Sequence, residues 1–184
     1  MKKTMWRLFV NFEKEEAWLN EMSTKGLAFT NYFLGRYSFI DCNPGEYIYR
    51  IELLEHLPTH PESQQYLKFM EENGAEQISF WNSWAYFRKR SEDGEFEIYN
   101  DNDSKIAHFK RISTLYLCIG ISELCIGCGL LGMVLNSFLS GVPPALFSIF
   151  SLGLIWSLGI ALLYTWNSHR KKIKKLKQEK FVWE

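Results

Sequence analysis

The chain has 184 residues, 21 basic and 21 acidic side chains and a hydrophobic fraction of 47%, averages that describe one ordinary soluble domain. Their distribution excludes that description: residues 1–112 carry 14 Lys and Arg against 18 Asp and Glu, residues 113–166 carry Glu123 as their one charge, and residues 167–184 carry 7 Lys and Arg against 2 acids. A purely soluble protein is excluded, and so is a disordered one, because the apolar content is too high.

Trp6 to Phe12 alternates aromatic and polar residues as a strand does. Glu13 to Lys25 then places Ala17, Trp18, Leu19 and Met22 at helical spacing, with acids in the first turn and Gly26 as the stop. Leu27 to Leu34 and Tyr37 to Asp41 read as strands around Gly35-Arg36, and Asn43-Pro44-Gly45 turns the chain into a further strand, Glu46 to Leu54. Pro58 and Pro61 open a helix from about Glu62 to Asn73, which Gly74 closes. Gln77 to Phe80, Ala85 to Arg90 and Phe96 to Tyr99 complete the strands.

A faint repeat organises these elements. Trp18-Leu19, Met22 and Gly26 match Tyr66-Leu67, Met70 and Gly74, and each half runs helix, strand, turn, strand. The expected fold is α+β: two β-α-β-β units in a ferredoxin-like antiparallel sheet with two helices on one face, over residues 1–103. The run Asn100 to Asp103 reads as the N-cap of a connecting helix over 104–112; as a calcium loop it fails, with Ile106 where Gly is needed and Ile112 where Glu is needed.

Residues 113–139 and 145–166 each exceed the roughly 20 apolar residues that cross a bilayer core, so both are expected to be transmembrane helices joined by an uncharged, proline-containing turn. Arg88 to Arg90, Lys105, Lys110 and Arg111 precede the pair, and Arg170, Lys171, Lys172, Lys174, Lys175 and Lys177 follow it. The expectation is a multi-pass protein of the cell membrane with both termini cytoplasmic. The start of the chain is too short an apolar stretch for a signal peptide, so the large domain is expected to stay inside.

Within the first span, Glu123 is the costly residue. Counting along an antiparallel partner puts Trp156 and Ser157 opposite it, as a polar clasp or as a sensing or proton-linked site. Cys128, Gly132 and Asn136, and Gly153, Ser157 and Ala161, recur every fourth residue and are the expected helix contact. Cys125 and Cys128 alone are a weak metal or redox signal. The tail over 167–184, with Arg170, Lys171, Lys172, Lys174 and Lys175 around Ile173, Leu176 and Trp183, reads as an anionic-lipid surface or a dock for the acidic domain.

Catalytic chemistry is not evident, and no enzyme activity, cofactor or metal is expected. His56 and His60 have a metal-like spacing, but Pro58 and Pro61 interrupt the helix that would use it. The 21 aromatics of the first 112 residues are mostly core. Phe80 to Phe87 is nonetheless denser than one sheet face buries, so Trp81, Trp84 and Tyr86, with Arg36 and Tyr37, are the candidate partner or ligand surface.

The segments Phe12-Glu-Lys-Glu-Glu-x-Trp-Leu-Asn-Glu-Met-x-x-Lys-Gly26, Gly35-Arg-Tyr-x-Phe39, Pro44-Gly-Glu-Tyr-x-Tyr-Arg50, Trp84-x-Tyr-Phe-Arg-Lys89 and Ile98-Tyr-x-Asp-Asn-Asp-Ser-Lys-Ile106 resemble the bacterial domain of unknown function 2812 family. The resemblance implies C-terminal membrane helices and a neighbouring PadR-like winged-helix regulator, mainly in Gram-positive bacteria; it supplies no catalytic residues. The expected function is a membrane-anchored regulatory or sensory protein that modulates that regulator in response to a membrane or amphiphile signal. The alternatives are a lipid or small-ligand module, or an accessory subunit of a transport complex. Membrane lipid and the regulator are the expected partners, a homo-oligomer is compatible with both, and the acidic soluble part disfavours direct nucleic-acid binding.

Overall fold

In the computed structural model, residues 2–99 and 101–183 are described, with side chains through residue 178. The chain divides into two compact units, Met1–Asn100 and Asp101–Glu184. The first contains β1 (Lys2–Trp6), α1 (Phe12–Thr24), β2 (Leu27–Phe33), β3 (Arg36–Asp41), β4 (Tyr47–Leu53), α2 (Pro61–Glu72), β5 (Glu76–Trp81) and β6 (Trp84–Arg90). The fold is α+β, and its strands form two three-stranded antiparallel sheets of order β1-β3-β2 and β4-β6-β5 instead of one sheet.

The two sheets are copies of one plan, and the offset of 48 seen in the helices continues through the strands. Gly26 and Gly74 end their helices with φ of 76° and 80°. The pairing register shifts between Phe29 and Asn31 in β2 and between Gln77 and Ser79 in β5, and Leu34 and Asn82 both take the left-handed conformation in the hairpin turns. Phe39 and Phe87 are both fully buried. Ser79 Oγ donates to Asn31 Oδ1 at 3.3 Å, so equivalent residues meet each other, the signature of a local two-fold between β2 and β5.

The edges of the sheets are closed by side chains. Along one stripe of α1, Glu16, Asn20 and Ser23 face the outer edge of β4. Asn20 accepts from Tyr49 N–H at 2.8 Å and donates to Tyr49 C=O at 3.0 Å, Glu16 Oε2 accepts from Ile51 N–H at 2.9 Å, and Ser23 Oγ donates to Tyr47 C=O at 2.6 Å. A polar helix face thus replaces the missing strand and satisfies backbone groups that would otherwise be left unpaired or free to template aggregation. On the other edge, Ser79 Oγ of β5 accepts from Tyr32 N–H of β2 at 3.2 Å.

This closure explains one departure from the sequence reading. Phe96 to Tyr99 is not a strand, because neither edge of the second sheet is open to it. Its apolar residues still point inward: Phe96 joins Leu54, Met70, Ala75, Ala85 and Phe87 in a cluster against which Ile98, Tyr66 and Leu67 pack. The first strand is also displaced, to Lys2–Trp6, because β3 begins at Arg36 and offers no ladder to residues beyond Arg7. The freed chain crosses to Asn11, whose side chain caps α1 by accepting from Glu13 N–H at 2.8 Å.

The second unit is two 38-residue helices, α3 (Asn102–Leu139) and α4 (Leu146–Trp183). Asp101 caps α3, accepting from Ser104 N–H and Oγ at 2.7 Å each. Each helix is long and apolar enough to cross a membrane, with windows of mean hydropathy 2.0 and 2.2 of which only 17% and 11% is buried. At 1.5 Å per residue each measures about 57 Å, longer than the roughly 30 Å of a hydrocarbon core. The helices meet along a seven-residue repeat: Ile106, Ser113, Gly120, Gly127 and Val134 of α3 are all buried, as are Gly159, Leu162 and His169 of α4. That 3.5-residue period is the seam of a left-handed antiparallel coiled coil.

Candidate functional site

Glu15 leaves the first turn of α1 toward the interior between the two sheets. Its Oε1 accepts from the Tyr37 hydroxyl of β3 and from the Tyr86 hydroxyl of β6, both at 2.7 Å, and the residue is 8% exposed. Burial pushes its carboxyl above the usual range, against the pull of the two phenols, and burial with the adjacent carboxylate pushes both phenols above theirs. The Tyr32 ring closes the cluster, 4.8 Å from Tyr37 and 5.4 Å from Tyr86. The second sheet repeats the device: Glu52, also buried, accepts from the Tyr66 hydroxyl at 2.5 Å and from the Tyr99 hydroxyl.

Tyr37 and Tyr86, expected on a partner surface, are therefore core residues that tie both sheets to α1. Trp84 is half-buried against Phe12, with ring centroids 5.6 Å apart. Arg36 and Trp81 lie where a partner can reach them. Arg36 stands in register with Trp6 on one side and Phe33 on the other, and paired residues share a sheet face. The Trp81 ring meets Phe33 edge-on at 5.6 Å.

The β2–β3 turn completes this surface. Leu34 has φ of 46° and is 56% exposed, and the neighbouring Gly35 has φ of 79°. A Cβ on Gly35 would lie 2.6 Å from Leu8 Cδ2, so the glycine is what lets Leu8, 86% exposed, fold over the turn. Trp6 is 73% exposed. Trp6 and Phe33 flank Arg36 across the sheet, and Leu8, at Gly35, and Trp81, against Phe33, extend the apolar surface.

His56, His60 and Glu62 come together despite the prolines, because the turn before α2 brings one ligand atom of each within 4.8 Å of the others. The group is already engaged: His56 Nε2 lies 3.1 Å from Glu62 Oε2, and His60 Nδ1 accepts from Glu62 N–H as the cap of α2. A metal at His60 Nδ1 would displace that cap, and one at Nε2 would need the ring proton moved to Nδ1, which ends the cap as well, so the residues fit a helix cap better than a metal centre.

In the second unit the Glu123–Trp156–Ser157 group is not assembled as expected. Glu123 lies on the seam opposite Gly159, whose added Cβ would stand 3.4 Å from Glu123 Cβ. Trp156 covers Gly127 one turn further along, where an added Cβ would come within 2.5 Å of its Nε1, and Ser157 is exposed and donates to Leu154 of its own helix. The small-residue stripes also face elsewhere: Gly132 and Gly153 have nothing within 4 Å of an added Cβ, and Cys128 is exposed. The seam instead buries His169 between the rings of Phe109 and Tyr116, each 5.6 Å away. Arg170, Lys171, Lys172, Lys174 and Lys175 are all exposed. Arg170 stacks on Trp166 at 4.9 Å and Lys172 lies 5.9 Å over Phe109. The Trp183 side chain falls outside the described residues.

The sequence profile of a family described as a protein of unknown function, DUF2812, matches residues 11–121. The chain belongs to the DUF2812 family. No curated protein and no solved structure matches it. The matched stretch of this DUF2812 protein contains Glu15, Glu52 and all four of their tyrosines, and it ends inside α3 at Ile121. The match thus covers α1, the strands of both sheets apart from β1, and the start of the first long helix.

Proposed function

We propose that this protein is a membrane-anchored, non-catalytic regulatory module. The α3–α4 hairpin is embedded in the cell membrane with both termini cytoplasmic, and the patch around Arg36 binds a PadR-like transcriptional regulator in response to a membrane or amphiphile signal. The observation that carries the reading is Leu34. A left-handed backbone costs a residue with a Cβ roughly 1–2 kcal/mol, and hairpin turns of this kind favour Asn or Gly. An exposed leucine held there, beside exposed Trp6 and Phe33, is a cost to stability that a binding surface explains. Tryptophan and arginine within an apolar rim are also the residues that dominate binding energy at protein interfaces. The membrane part is supported by the two apolar windows, by their low burial and by the charges that flank them.

The test is co-purification of the detergent-solubilised chain with the PadR-like regulator expected beside its gene. Leu34→Asn is expected to raise Tm by a few degrees, the removed strain being worth roughly 1 kcal/mol, and to weaken regulator binding by about tenfold. Trp6→Ala is expected to weaken binding at least as much. A wild-type chain that never retains the regulator, or variants that bind as wild type does, would overturn the reading.

A further inference from the structure

We infer that the groove between α3 and α4 at their charged ends binds the phosphate of an anionic phospholipid. The groove, of about 380 Å³, is lined on α3 by Lys110, Ser113 and Thr114 and on α4 by Arg170, Lys174 and Lys177. Lys110, Ser113 and Thr114 stand at i, i+3 and i+4 and Arg170, Lys174 and Lys177 at i, i+4 and i+7, so each trio shares one face of its helix, and the antiparallel hairpin brings the two faces together. Four cations therefore converge from distant parts of the chain, and among the described residues no carboxylate lines the space. Like charges so placed repel one another unless an anion sits between them.

The remaining lining residues select the kind of anion. Trp166 and Ile173 form an apolar side to the groove, and the Trp166 ring holds the Arg170 guanidinium at 4.9 Å. That stacking fixes a planar fork of N–H donors, the geometry that grips two phosphate oxygens at once, while the Ser113 and Thr114 hydroxyls supply further donors. The groove also lies at a border in the sequence, since residues 113–166 carry one charge in all. Cations and hydroxyls thus ring the level at which the hydrocarbon begins, where a phospholipid carries its phosphate, and its acyl chains continue along the apolar flank of Trp166. A free phosphate has no use for the Trp166 and Ile173 side. A zwitterionic lipid finds no acid for its ammonium group.

The inference rests on the membrane reading of the hairpin. It is sharper than general attraction by the tail, because Lys171, Lys172 and Lys175 carry the same charge and do not line the groove. Alkaline carbonate extraction of native membranes tests the underlying reading separately; release of the chain would remove both. The groove itself is tested with the full chain in nanodiscs of phosphatidylcholine and phosphatidylglycerol, roughly four to one, by native mass spectrometry of retained lipid. The triple variant Lys110→Gln, Arg170→Gln, Lys174→Gln is compared with Lys171→Gln, Lys172→Gln, Lys175→Gln, which loses the same charge. Wild type and the second variant are expected to retain phosphatidylglycerol, and the first to retain it at least about tenfold less. If the triple variant misfolds by circular dichroism, Arg170→Lys, which keeps the charge and loses the fork, is expected to weaken retention several-fold. Equal losses in both triple variants, Arg170→Lys retaining lipid as wild type does, equal retention of phosphatidylcholine, or displacement of the lipid by inorganic phosphate at matched concentration would each overturn the assignment.

Discussion

Glu15 shows how far a side chain's surroundings can depart from what its neighbours in sequence suggest. In the sequence it is one of three acids in the first turn of a helix, the ordinary complement to a helix dipole. In the fold it is buried, with Tyr37 and Tyr86 donating to one oxygen, and burial raises its carboxyl above the usual range. The sign of the resulting pH dependence is fixed. Between the unfolded carboxylate value, about 4.3, and the higher folded one, the folded chain holds more protons than the unfolded chain, so this contribution to stability declines as pH rises through that window and is level above it. Glu15→Gln keeps an oxygen to accept from both phenols and removes the ionisation. The difference in stability between wild type and variant, from urea midpoints at stepped pH, is expected to move against wild type as pH rises from about 4 toward neutrality. Glu16 is raised by burial too, so the variant retains some slope of its own. A difference that is flat with pH would mean that Glu15 titrates as an ordinary surface acid.

At the scale of elements, local chemistry marked the helices well and tertiary partners less well. Gly26 and Gly74 were readable as stops because a left-handed residue is a local demand, and the 48-residue repeat was readable because core positions repeat their residue type. The split into two sheets was not, because it depends on which edge each strand meets: α1 occupies the β4 edge through Glu16, Asn20 and Ser23, polar residues that a helical pattern assigns to solvent. The hairpin misled in the same way. A small residue every fourth position suggested a contact face, whereas the seam follows a seven-residue repeat with Gly120, Gly127 and Gly159, and only the partner helix decides between the two stripes. Asn20 tests the edge closure. Asn20→Ala leaves both polar groups of the fully buried Tyr49 backbone without their side-chain partner, at a cost of about 3 kcal/mol and hence a Tm lower by about 15 °C. A loss below about 1 kcal/mol would mean that water or a shifted helix replaces the amide without penalty.

For the whole molecule, the distribution of charge and the division of structure coincide. The acidic excess lies in the first unit, where residues 1–100 carry 11 Lys and Arg against 16 Asp and Glu, and the second unit takes the short charged stretch 101–112 with the nearly charge-free and basic stretches. The change from a charged to an apolar stretch is legible in composition alone, since charges are costly inside a bilayer and cheap on a soluble surface. The sequence reading mistook the nature of the last segment before the change. Residues 96–99 do not extend a sheet; they plug one, with Phe96 inside the second core cluster and Tyr99 donating to Glu52. That difference sets where the chain can be cut. Residues 1–100 keep both sheets, both helices and the plug, so they are expected to be soluble and to unfold in one cooperative transition. Ending the chain after Arg90 keeps every strand but removes Phe96, a loss of about 3–5 kcal/mol for a buried aromatic, and takes one hydroxyl from the buried Glu52, about 1–3 kcal/mol more. Against a total of about 5–15 kcal/mol, that shorter chain is expected to lose its cooperative transition and its near-ultraviolet circular dichroism. Equal stability of the two fragments would show that residues 91–100 are an attached linker, and failure of residues 1–100 to fold would show that the first unit depends on the second.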